Sequence, residues 1–115
     1  MGPTDQGRGG GGEPLEPAVA RSLLEEAHRD AGDQPGPAND LALSLMKEGK
    51  GKEAREALEP ALAKHPDDPA VNLNMALALR LEGGNRERAL QCAKKAQQSQ
   101  DKAIRDQAVK LLEKL

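Results

Sequence analysis

Apolar residues return every third or fourth position in six stretches of this chain, and glycine, proline or a short polar residue closes each one. From Pro14 or Pro17 to about Asp30, Val19, Leu23, Leu24 and Ala27 predict a first helix, which Gly32-Asp33-Gln34-Pro35-Gly36-Pro37 interrupts. A second is predicted over about residues 38–48, with Leu41, Ala42 and Leu45 on one side and Gly49 and Gly51 at its stop. A third, over about 52–64, carries Ala54, Ala57, Leu58, Ala61 and Leu62. Pro60 lies inside it, removes one backbone donor and crowds the Glu56 carbonyl, so a kink is expected there and not an end. Asp68 as cap and Pro69 in the first turn open a fourth helix that runs to about Glu82. Asn85 can cap a fifth over about 86–99, and Asp101 a sixth that reaches Lys114. In the sixth, Ile104, Ala108, Leu111, Leu112 and Leu115 form one apolar stripe, the pattern of a one-sided lid.

Composition narrows the fold class further. Of the apolar residues, 18 are Ala and 16 Leu, there is no aromatic residue, and Val19, Val71, Val109, Ile104 and Thr4 are the only β-branched positions. Strands are built from the residue types missing here, so the chain reads as all-α. Six glycines fall within residues 1–12 and no apolar residue follows Met1 there, so residues 1–13 are expected to be a flexible tail ahead of a helical domain over 14–115.

Two stretches agree in order and spacing. Leu41-Ala42, Leu45, Gly49, Ala54, Leu58, Ala61 and Pro66 match Met75-Ala76, Leu79, Gly83, Ala89, Ala93, Ala96 and Asp101, the first four pairs 34 residues apart and the last four 35. The second copy therefore carries one extra residue near Gly84. A 34-residue period with two helices per unit resembles the tetratricopeptide repeat. The two aromatic positions of that pattern are Leu or Ala here, and Asp101 stands where the closing Pro belongs. Small side chains at Ala42, Ala54, Ala61, Ala76, Ala89 and Ala96 would let paired helices approach closely, with leucines filling the remaining space. Ala20, Leu24 and Ala27 extend the match backward by another 34 residues. The organisation expected is a half repeat over 17–34, repeats over 35–68 and 69–101, and a capping helix over 101–115, stacked as a short α-α superhelix of about six helices.

The resemblance implies a protein-interaction module whose first helices line a concave face. Its positions here are Asn39, Leu43, Met46 and Lys47 in the first unit and Leu73, Leu77, Arg80 and Leu81 in the second. In the fourth helix Val71, Met75 and Leu79 form one ridge and Leu73, Leu77 and Leu81 another on the far side. The second ridge either touches a bound peptide or packs on neighbouring helices. Some members of the family grip a terminal carboxylate with Lys, Asn and Arg on this face. Only Asn74, Lys47 and Arg80 could be recruited, and Asp40 and Leu73 replace the polar or basic side chains needed, so an apolar or amphipathic partner segment is expected instead. By analogy with the family, a scaffold or chaperone-like role follows, for instance within a secretion or assembly system.

Catalysis, cofactors and metals find little support. His28 and His65 lie near helix ends without ligand-spaced companions, and Ser22, Ser44 and Ser99 have no nucleophile context. Cys92 reads as a packing residue, Asp67-Asp68 as helix-cap chemistry and Glu25-Glu26 as a solvated face. The net charge of −2 and the absence of aromatic rings speak against nucleic acid. The longest uncharged apolar run, residues 75–79, is too short to cross a bilayer, and the first residues lack an apolar signal core, so a cytoplasmic location is expected. Residues 13–40 hold two basic and seven acidic side chains and residues 86–115 eight basic and four acidic, which leaves a homo-oligomer joined end to end as the alternative to a peptide-binding groove.

Overall fold

A computed structural model of the chain describes residues 16–115; the segment read as a flexible tail lies outside the described residues. Six helices follow one another: α1 (Pro17–Ala31), α2 (Pro35–Lys47), α3 (Gly51–Lys64), α4 (Pro69–Glu82), α5 (Arg86–Gln97) and α6 (Lys102–Lys114). Their starts are set by local chemistry. Pro17, Pro35 and Pro69 occupy first turns, where the missing N–H costs no hydrogen bond. Asp68 accepts from the Val71 amide at 2.9 Å, Asn85 from Arg88 at 3.0 Å and Asp101 from Ala103 at 2.9 Å, as their positions before helical runs predict. Gly49 and Gly83 turn the chain at φ of 78° and 82°, a left-handed conformation that side chains resist. The extra residue of the second unit falls after Gly83, where Gly84 and Asn85 stand against the single Lys50 of the first. Helix α3 runs through Pro60 without ending.

The pairing of helices decides the architecture. Each helix packs on the next in sequence, and α4 also packs on both α2 and α6. The first helices of successive hairpins thus lie side by side, and the molecule extends over 57 × 27 × 24 Å. The structure is an all-α solenoid of stacked hairpins.

One core runs through the hairpins, and its small residues do the work expected of them. Ala38, Ala42, Ala54 and Ala61 have no exposed surface where α2 meets α3, and Ala76, Ala93 and Ala96 have none where α4 meets α5. Leu58 and Met75 are the large side chains enclosed among them. Burying one such side chain is worth about 1.5–3 kcal/mol. Asn72, only 1% exposed, is tied down by donating to the carbonyls of Pro66 at 3.0 Å and Asp68 at 2.8 Å, which fastens the α3–α4 turn to α4.

The two flanking helices are unequal. Helix α6 buries Ala108 and Leu111, whereas α1 buries no residue. Ala27, matched by register to the fully buried Ala61, is exposed: among the described residues no first helix lies beside α1 as α2 lies beside α3. His28 is half-buried: its Nε2 lies 2.7 Å from the Ala57 carbonyl oxygen and links α1 to α3.

Candidate functional site

The last turns of α2 and α4 bring six of the eight anticipated groove residues together. Leu43, Met46, Lys47, Leu77, Arg80 and Leu81 line one open cleft of about 590 Å³. Their spacing explains the convergence: positions three and four apart on a helix share a face, and the packing of α2 on α4 sets the two faces next to each other. Leu43 and Leu81 remain 43% and 47% exposed, while Met46 and Leu77 are half-buried and form the floor. Lys47 and Arg80 stand exposed in the last turns of their helices and form no ion pair among the described residues. The cleft is therefore apolar at its base and positive at one end.

The other two residues are placed elsewhere. Leu73 is 5% exposed and belongs to the core, on a helix that packs against both α2 and α6. Asn39 receives a hydrogen bond from Asn74 Nδ2 at 2.9 Å, so the pair joins α2 to α4. The second ridge of α4 is thus divided between packing at Leu73 and surface at Leu77 and Leu81. Wheel geometry alone gives all three the same environment; tertiary packing, not periodicity, separates them.

A neighbouring cleft of about 610 Å³ was missed by the sequence reading. It lies between α1 and α2, is lined by Pro17, Ala20, Leu24, Asp40, Ser44 and Glu48, and shares Leu43 and Lys47 with the first. The register match of Ala20 and Leu24 to Ala54 and Leu58 was the available signal, since the equivalent α3 residues are fully buried between helices.

Charge pairs cluster at α3 and its neighbours. Arg88 reaches the Glu59 carboxylate with two hydrogen bonds of 2.6 and 2.8 Å, and Arg55 joins Glu59 at 3.3 Å and Glu82 at 2.8 Å. Hydrogen bonding from Arg88 holds the Glu59 carboxyl below the usual carboxylate range, and Arg55 does the same for Glu82. Burial pushes the Cys92 thiol up, which opposes thiolate chemistry at this 5% exposed residue. Asp68 serves as a cap and Asp67 lies 3.5 Å from Lys95, so the acidic pair is divided between two structural tasks. Among the described residues no three His, Cys, Asp or Glu side chains gather into a metal-holding group, and no helix is long and apolar enough to cross a membrane.

Against known families, the sequence pattern of the tetratricopeptide repeat matches residues 16–78 and again 45–115. The chain belongs to the tetratricopeptide repeat family. The two overlapping matches cover the stacked hairpins and both flanking helices, in agreement with the six-helix solenoid. Comparison with curated proteins gave no match, and neither did comparison with solved structures. Tetratricopeptide repeat domains are generally interaction modules for other proteins and typically non-catalytic.

Proposed function

We propose that the cleft between α2 and α4 receives an apolar face of a partner protein's amphipathic segment, with acidic side chains of that segment set against Lys47 and Arg80. The observation that carries this reading is the convergence of Leu43, Met46, Leu77 and Leu81 beside two cations without carboxylate partners among the described residues. An apolar surface removed from water on binding supplies affinity, and charge complementarity supplies orientation. The scaffold holds the groove in advance, so the ordering cost falls mainly on the partner segment. A chaperone-like holder of apolar segments is one use of such a groove.

The test is fluorescence anisotropy with two synthetic amphipathic helical peptides of identical leucine face, one flanked by glutamates and the other by lysines. Saturable binding of the acidic peptide is expected, weaker binding of the basic one, and a loss of about tenfold or more in affinity on Leu43→Asp or Leu81→Asp. Equal binding by the wild type and both folded variants would remove the cleft from the function.

A further inference from the structure

Two apolar patches of opposite charge lie on the surface of this chain. Among the described residues five large apolar side chains stay exposed, and four of them make up these patches. Val19 and Leu23 are 48% and 52% exposed on α1, and Leu43 and Leu81 flank the cleft between α2 and α4. Single exposed leucines are ordinary, whereas apolar side chains gathered on one face mark a contact surface.

Helix α1 packs mainly on α2, with Leu24 turned to the core. On its exposed side Val19, Leu23 and Ala27 follow one another at intervals of four residues and share one face. Glu16, Glu26 and Asp30 each stand three residues from a member of that stripe, so carboxylates border it along its length. All three are exposed and none forms an ion pair among the described residues. Of the two arginines on α1, Arg21 is held by Glu48 of α2 at 2.9 Å, and Arg29 lies about a third of a turn around the helix from Leu23. The stripe is therefore apolar and negative.

The cleft between α2 and α4 has the same make-up with the sign reversed. Leu43 and Leu81 stand beside Lys47 and Arg80, two exposed cations that also lack an ion-pair partner among the described residues. An amphipathic helix with acidic borders is the chemistry this cleft suits, and α1 presents one already folded. A preformed helix loses little conformational entropy on docking, which a free peptide cannot match.

We propose that the segment received by the α2–α4 cleft is α1 of a second copy of this chain. The inference rests on the reading of that cleft given above and names its occupant. Val19 and Leu23 of one copy meet Leu43 and Leu81 of the other, and Glu26 and Asp30 face Lys47 and Arg80. Docking in both directions closes a two-fold pair, and docking in one direction leaves a helix and a cleft free for further copies. Either arrangement makes mass depend on concentration.

Sedimentation velocity with interference optics, which suits a chain without aromatic residues, tests the idea on the full 115-residue protein from micromolar to near-millimolar concentration at low and high salt. The expected result is a weight-average mass that rises above that of the monomer with concentration and falls at high salt. Glu26→Lys with Asp30→Lys makes α1 basic, and Lys47→Glu with Arg80→Glu makes the cleft acidic. All four side chains are exposed, so both double variants should keep their fold, checked by circular dichroism. Each alone should associate at least about tenfold more weakly than the wild type. Their one-to-one mixture sets a basic α1 against an acidic cleft and an acidic α1 against a basic cleft, and should restore association. A wild type that stays monomeric throughout, association unchanged in either double variant, or a mixture no stronger than its components would each overturn the proposal. The glutamate-flanked peptide separates this failure from failure of the cleft itself: a monomeric protein that binds the peptide keeps the cleft's function and loses the second copy as its occupant, whereas a protein that does neither loses both.

Discussion

Gly51 sits against the backbone of Glu82, where a Cβ would fall 2.5 Å from the Glu82 amide nitrogen and 3.0 Å from the Ala78 carbonyl oxygen. The first residue of α3 thus passes across the end of α4 at a distance that only glycine permits. Sequence reasoning took Gly51 as part of a helix stop; it is buried, and its role is close approach between hairpins.

Alanine at this position therefore reverses the usual sign of a helical glycine replacement. In an ordinary helix Gly→Ala gains up to about 1 kcal/mol. Gly51→Ala forces the α3–α4 crossing apart and is expected to cost about 1–3 kcal/mol, read as a lower midpoint in urea unfolding. A midpoint equal to or above that of the wild type would contradict the crossing.

The Glu59–Arg88 pair predicts an acid limb to stability. The folded-state carboxyl titrates below its ordinary value of about 4.3, so the pair's contribution is complete above that pH and disappears as pH falls through the folded value. Both side chains are about one-third exposed, at 37% and 32%, which limits the pair to no more than about 1 kcal/mol. Thermal midpoints should be level from neutral pH to about pH 5 and decline below about pH 4, and Glu59→Gln should lower the neutral midpoint while flattening the acid decline.

Burial separates the two flanking helices energetically. Leu111→Ala removes a side chain 4% exposed and is expected to cost about 2–4 kcal/mol, whereas Leu23→Ala in α1 should stay within about 0.5 kcal/mol in dilute solution. Circular dichroism melts of the two variants compare these costs directly. Similar losses for both would mean that α1 is held far more tightly than its surface indicates.

Much of the fold is legible in the sequence because its helix boundaries are written in strong local chemistry. Asp68-Pro69, Gly83, Asn85 and Asp101 cap or stop helices for reasons that need no tertiary context. The alanine register is legible for a similar reason, since Ala42, Ala54 and Ala61 share one closely packed seam. Long-range geometry is not readable in that way. Leu73 and Leu77 have the same wheel position, but the first is in the core and the second in the cleft. The burial of Gly51 depends on a helix that begins 18 residues later, and the hydrogen bond of His28 to Ala57 spans 29 positions.

The Arg55 and Glu59 contacts join α3 of the first hairpin to α4 and α5 of the second. The junction between hairpins is thus held partly by charge, on residues separate from the six that line the trough between α2 and α4. Added salt screens these ties and is expected to weaken that junction without touching a single residue of the trough.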